Sequence, residues 1–115
     1  MYLFGSWRAS IAIGKGLEPT VYPEAAFSMT VQQTRVYGST TSAGGAFTIT
    51  LPSVAGARGQ AYIIYMVARN STDDITLEDN SNDAGFSNIT LNAADEYSLV
   101  LSDGRKWFEI ASNHS

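Results

Sequence analysis

From Ser28 onward the chain has a hydrophobic period of two, and this constrains its fold more than any other feature. Met29 and Val31 alternate with Thr30 and Gln32, and the pattern runs on to Val36 and Tyr37. Phe47, Ile49 and Leu51 alternate with Thr48 and Thr50, and Pro52, which has no N–H to give a ladder, closes that run. Residues 61–68, Ala-Tyr-Ile-Ile-Tyr-Met-Val-Ala, are apolar at both parities. Their β-branched and aromatic content predicts a central strand rather than a helix. Two short alternating pieces, Ile75-Thr76-Leu77 and Ile89-Thr90-Leu91, flank a polar loop at 79–85. Tyr97, Leu99 and Leu101 then lead into Asp103-Gly104 and a last run at 105–111. An Asp-Gly pair between alternating runs predicts a two-residue hairpin turn joining about 97–102 to 105–110.

Seven or eight short strands with almost no helix predict an all-β domain. The expected architecture is a β-sandwich or jelly-roll-like barrel of antiparallel strands over residues 28–115. No internal repeat is visible. Residues 1–27 read differently: Gly5, Gly14, Gly16, Pro19 and Pro23 punctuate them, and Tyr2, Leu3, Phe4, Trp7, Ile11 and Ile13 recur without a face. They are expected to form an extended N-terminal arm. Trp7 anchors such an arm either to a partner or neighbouring subunit, or to its own domain. Arg8 and Lys15 would meet acidic groups on a partner. Trp107, beside the hairpin, is read as core.

Composition removes whole classes of function. The net charge of −4 lacks the basic footprint that nucleic-acid binding requires. The charge is also uneven: Arg8, Lys15, Arg35 and Arg58 outweigh Glu18 and Glu24 in residues 1–60, whereas the acids dominate 61–115. Charged residues are only 16 % of the chain, so little of its surface is given to solvated Lys and Glu. That low fraction, with a strand apolar on both faces, predicts a homo-oligomer that covers the excess. There is no cysteine, and hence no disulfide framework, thiolate nucleophile or zinc–sulfur site. No apolar run reaches the length of a membrane span, and Met1–Phe4 stops too early at Gly5 and Ser6 for a secretory signal. Three Asn-x-Ser/Thr sequons, at Asn70, Asn88 and Asn113, are chance matches in a chain rich in these residues.

Catalytic chemistry finds no foothold in the sequence. The lone histidine, His114, is next to last, and no Gly-x-Ser-x-Gly elbow exists. Gly14-Lys15-Gly16 lacks phosphate-loop spacing and reads as a turn. Asp79-x-Ser81-x-Asp83 resembles part of a calcium loop, but Ala84 stands where such a loop turns on glycine, so a solvated loop is expected. Glu109 alternates with Phe108 and Ile110 and is expected to face outward. The chain is expected to have no cofactor and no enzymatic activity.

Three stretches in order carry a resemblance. They are Gly45-Ala46-Phe47-Thr48-Ile49-Thr50-Leu51-Pro52, Gly59-Gln60-Ala61-Tyr62-Ile63-Ile64-Tyr65, and residues 99–110 from Leu99 through Asp103-Gly104 to Trp107 and Ile110. Together, over about residues 28–112, they resemble a β-module of tailed-bacteriophage virion proteins. Such modules occur in tail fibres and in capsid-associated proteins. The resemblance implies a structural protein, usually a homotrimer, that decorates and cements the capsid shell. Its partner would be the major capsid protein, and its place the virion surface after synthesis in the host cytoplasm. Tyr2, Leu3, Phe4, Trp7, Arg8 and Lys15 would make the capsid or subunit contacts. Leu51, Pro52, Gly59, Asp103, Gly104 and Trp107 would carry the turns and core. The alternative is a tail-fibre or receptor-binding module that recognises host surface glycans.

Overall fold

In the computed structural model, residues 18–41 and 45–114 are described, and among them the chain forms nine strands and no α-helix. The strands are β1 (Thr20–Val21), β2 (Phe27–Ser28), β3 (Arg35–Ser39), β4 (Phe47–Thr50) and β5 (Ala61–Ala68). They continue as β6 (Ile75–Glu78), β7 (Ile89–Leu91), β8 (Tyr97–Ser102) and β9 (Trp107–Asn113). One sheet has the order β1-β3-β5-β8-β9 and the other β2-β4-β6-β7. The strand rich in apolar residues at both parities, β5, takes the middle of the larger sheet.

The expectation of antiparallel pairing throughout is corrected. β1–β3, β2–β4, β3–β5 and β4–β6 pair in parallel, and only β5–β8, β6–β7 and β8–β9 are antiparallel. Short loops suggest that consecutive strands are hydrogen-bonded neighbours. Here, instead, the chain changes sheet at each step from β1 to β6. Strands that pair are therefore two apart in sequence and run the same way. Arg35 is opposite Ile63 and Phe47 opposite Ile75, an offset of 28 residues in both ladders. β3–β4 and β5–β6 are thus two stacked turns of one winding. Tyr37 overlies Tyr65 and Thr48 overlies Thr76. The repeat is geometric, carried by side-chain size and parity, which is why no repeated motif announces it.

Parity decides the core. Along β3 to β6 and along β8, alternate residues are buried. Val36, Tyr62, Ile64, Met66 and Val100 of the larger sheet join Phe47, Ile49, Ile75, Leu77 and Leu91 of the smaller one in a single cluster. The sheets approach closely at Gly38 of β3. A Cβ there would lie 2.7 Å from Ile75 Cδ1, with Phe47 and Ile49 just beyond. Thr40, fully buried, ties the connections of the two stacked turns together. Its hydroxyl donates to the Asp73 carbonyl at 2.9 Å and accepts from the Asn70 N–H at 3.1 Å.

Among the described residues strand pairing begins at Thr20, ahead of the boundary at residue 27 that composition suggests. The Arg35 N–H donates to the Pro19 carbonyl at 2.9 Å, and the Ser39 N–H to the Pro23 carbonyl at 3.2 Å. The prolines hold this stretch extended and present carbonyls to the edge of β3.

The hairpin forms, with its centre one residue later than the sequence predicts. The Asp103 N–H donates to the Lys106 carbonyl, which makes Gly104-Arg105 the central pair. Gly104 has φ +97°, while Asp103 is not among the residues with positive φ. One positive φ at the first central position fits a type II′ turn rather than type I′. The Asp103 carboxylate accepts the N–H groups of Arg105 and Lys106, both at 2.8 Å, and these bonds lower its pKa. Its support for the turn is complete above the ordinary carboxylate pKa and is lost as pH falls through the lower folded value.

Two stability predictions follow from these contacts. Gly38→Ala overpacks the sheet interface and is expected to cost about 1–3 kcal/mol. Ile75→Val removes the clashing Cδ1, so the double variant should lose less than the sum of the singles in denaturant unfolding. Additive losses would show that the Cδ1 contact is not the cause. Gly104→Val is expected to cost about 1–3 kcal/mol, since a β-branched residue resists positive φ and its Cβ would also stand 3.0 Å from Arg58 Cδ. Thermal melting at the wild-type temperature would refute the turn.

Candidate functional site: the aromatic face of the larger sheet

The outward parities of the two sheets have opposite chemistry. In the smaller sheet they are Thr48, Thr50, Thr76, Glu78 and Thr90. In the larger sheet the row Ile63–Leu99–Ala111 runs across β5, β8 and β9, followed by Ala61–Leu101–Phe108. These are apolar side chains on the outside. They follow from β5, whose second parity carries Ile63, Tyr65 and Val67 instead of the polar residues of a solvated face.

A line of four tyrosines crosses the same face. Tyr22, beyond β1, lies 5.7 Å from Tyr37 between ring centroids. Tyr37 meets Tyr65 edge-on at 6.0 Å, and Tyr65 stacks on Tyr97 at 6.3 Å with the planes 9° apart. The register explains the line, because Tyr37, Tyr65 and Tyr97 are direct partners in successive ladders. Aromatic neighbours on one sheet face contribute roughly 0.2–1 kcal/mol per pair. Tyr22 is 71 % exposed, so the line ends in an open ring.

Asp95 fixes one end of this face. It has φ +71°, and its N–H donates to the Met66 carbonyl at 2.7 Å. That turn brings its carboxylate 2.6 Å from the Tyr65 hydroxyl, which donates to it. The bond raises the Tyr65 pKa, with desolvation and the Asp95 charge adding to the effect. Tyr62, on the opposite parity, is raised by burial alone and donates to the Val31 carbonyl at 2.8 Å.

The face continues to β9, which has no further strand beside it among the described residues. β9 is an end strand of the larger sheet, with Phe108 42 % and Ile110 53 % exposed. Neither lysine nor proline interrupts it from Trp107 to Asn113, the devices by which edges are commonly blunted. The expectation that Glu109 faces outward is corrected. Glu109 pairs with Val100 and shares the inward parity of Trp107, while Phe108 takes the outer face. Glu109 keeps solvent exposure because β9 is an end strand. Its carboxylate accepts from the Ser98 hydroxyl and lies beside His114 Nε2, each at 2.6 Å.

The residues singled out from sequence distribute as follows. Tyr2, Leu3, Phe4, Trp7, Arg8 and Lys15 lie outside the described residues. Leu51 is in the core, and Pro52 is buried just after β4. Gly59 has φ +80°, and its N–H donates to the Ser102 carbonyl at 2.8 Å, which fastens the 54–59 turn to β8. Trp107 is 6 % exposed and packs edge-on against Tyr62, with ring centroids 5.6 Å apart. Its indole N–H is buried and has no acceptor among the described residues. These four and the Asp103-Gly104 turn maintain the fold and do not converge on one site. The tyrosine line escaped sequence reasoning because it depends on pairing across an intervening strand. Its trace in the sequence is the shared parity of Tyr37, Tyr65 and Tyr97.

Asp79 and Asp83 do not converge either. Asp79 Oδ2 accepts the N–H groups of Ala84 and Phe86, whereas Asp83 Oδ2 accepts that of Val54. Comparison with protein-family models, with curated proteins and with solved structures finds no match.

In an alkaline titration followed by tyrosine-resolved NMR, Tyr62 and Tyr65 should ionise above the ordinary tyrosine range. The stability that the Tyr65 bond contributes is complete below the unfolded tyrosine pKa and is lost as pH rises through the higher folded value. Asp95→Asn should bring Tyr65 down and leave Tyr62 where it is. An unmoved Tyr65 would mean that the Asp95 bond is not the cause.

Proposed function

We propose that this chain is a structural virion protein, a decoration or cement protein that docks on a capsid shell through the outer face of its larger sheet. The observation that carries the docking is the asymmetry between the sheets. One presents threonines to solvent, while the other presents Ile63, Leu99, Leu101 and Phe108 with a tyrosine line beside them. An exposed apolar patch rimmed by polar residues marks an interaction surface, and aromatic anchors dominate the energetics of such surfaces. The identity of the partner rests on the resemblance to phage virion modules. Its three stretches fall on β4, on β5, and on the β8–β9 hairpin.

In this reading the two sheets pack as a β-sandwich that acts as a rigid knob. The mechanism is mechanical. Each copy bridges neighbouring capsid subunits, and the many equivalent sites of a shell make modest single-site affinity sufficient. Arm residues Tyr2, Leu3, Phe4 and Trp7 add contact area, and Arg8 and Lys15 add charge complementarity. A homotrimer, the state the resemblance implies, would cover part of the apolar face against its own copies.

The test is cosedimentation with undecorated capsids, with circular dichroism as the folding control. Leu99→Lys combined with Phe108→Lys should stay folded and lose at least tenfold in binding, as expected for anchors contributing about 1–3 kcal/mol each. Light scattering of the same variant reports whether self-association falls with it. A folded variant that sediments like wild type would sink the docking face.

A further inference from the structure

We propose that the cleft between the ends of β2, β4 and β6 and the loop 79–88 is a binding site for a neutral saccharide. It lies on the polar side of the molecule and is an open cleft of about 600 Å³, within the range of small-molecule sites. Ser28, Thr50 and Glu78 line it from the strands, and Asn80, Asn82 and Asn88 from the loop. Phe86 adds one aromatic ring, partly buried against the core.

The lining selects the ligand. Hydroxyls and side-chain amides both donate and accept, and the carboxylates of Glu78 and Asp79 accept only. That mixture matches the closely spaced hydroxyls of a sugar, each of which is donor and acceptor at once. Among the described residues, Glu78, Asn80, Asn82 and Asn88 make no side-chain hydrogen bond within the protein, so their polar groups are available to a ligand. Among the described residues, no lysine, arginine or histidine lines the cleft. With two carboxylates and no cation, the cleft repels phosphorylated, sulfated and sialylated ligands. The Phe86 ring supplies an apolar patch for the C–H face of a pyranose.

The cleft is built before any ligand arrives. The winding places Asp79 at the position that Leu51 holds one turn earlier, 28 residues back. An aspartate stands where the earlier turn has a core leucine. It is 7 % exposed, and its Oδ2 gathers the N–H groups of Ala84 at 3.2 Å and Phe86 at 3.0 Å, which folds the loop back over the strand ends. Asp83 pins the far side of the loop through the Val54 N–H at 3.0 Å. Ser81 and Asn82 are held at φ 52° and 58°, strained conformations of the kind that concentrate at ligand sites. A loop fixed in this way loses little entropy on binding. The inference goes beyond docking and deepens the receptor-binding alternative. It does not use the aromatic face, so a failed capsid assay leaves it standing.

The experiment is an NMR titration of the isolated full chain with maltose, N,N′-diacetylchitobiose, sialyllactose and calcium chloride in separate series. A neutral disaccharide should shift the backbone amides of residues 79–88 with a Kd of about 1–10 mM, the range of a shallow, solvent-facing site. Sialyllactose should leave them unmoved. Asn88→Ala and Glu78→Gln, both at solvent-accessible positions, should each weaken binding at least fivefold while the rest of the spectrum is unchanged. The proposal is overturned if neither neutral sugar moves these amides at about 50 mM. It is equally overturned if the anionic sugar binds as well, if calcium alone shifts the loop, or if both variants bind like wild type.

Discussion

The structure depends on one close approach. At Gly38 the larger sheet presents hydrogen where any other residue would present carbon, and Ile75, Phe47 and Ile49 of the smaller sheet fill the space. This contact sets the separation of the sheets in the first stacked turn. The same parity then carries Ile64, Met66 and Val100 inward to meet Leu77 and Leu91. Because strand parity is strict, fixing what lies inside one strand fixes what lies outside its neighbours. The tyrosine line and the threonine face are the outward complement of that core.

Much of the fold was legible in the sequence. The strands at 47–50, 61–68, 75–78, 89–91 and 97–102 fall where alternation puts them, and β5 is central because both its parities are apolar. The hairpin was legible as a place but not as a type. Asp103 serves through its side chain rather than through a left-handed backbone, and that distinction depends on which N–H groups its carboxylate reaches. Pairing was not legible. Alternation states that a strand has two faces and is silent on which strand lies beside it. A chain that crosses between sheets at each step has the same local pattern as one that folds into hairpins.

The surfaces divide along the same line. Trp107, Leu51, Pro52 and Gly59 stood out in sequence for their residue types, and they serve packing and turns. The residues that line the outer face and the cleft are ordinary by type: three tyrosines in register, and an aspartate where the previous turn has leucine. The Tyr37–Tyr65 pair and the aspartate appear only when residue n is set beside residue n + 28, and Tyr97 joins through the antiparallel β5–β8 ladder. Sequence reasoning placed binding in the aromatic arm of residues 1–27; the described residues add an apolar sheet face that the arm's composition gave no sign of.

The winding also has a kinetic side. β3 and β5 cannot pair until β4 and its connections have crossed to the other sheet and returned, and the same holds for β4 and β6 around β5. Each of these two parallel ladders therefore closes a loop of 28 residues that contains a strand of the opposite sheet. Neither sheet can be completed first. The two must grow together, turn upon turn, and the entropy of each closure is lost before the core contacts repay it. The β8–β9 hairpin is the exception, because its partners are adjacent in sequence and need only a few residues between them. It forms on the microsecond scale open to a short hairpin, whereas the stacked turns belong to the roughly millisecond-to-second regime of non-local β topologies. During that interval the edge carrying Phe108 and Ile110 has only β8 to pair with, and an isolated hairpin is at best marginally stable. Association of nascent chains along β9 is then a race against the closing of the winding.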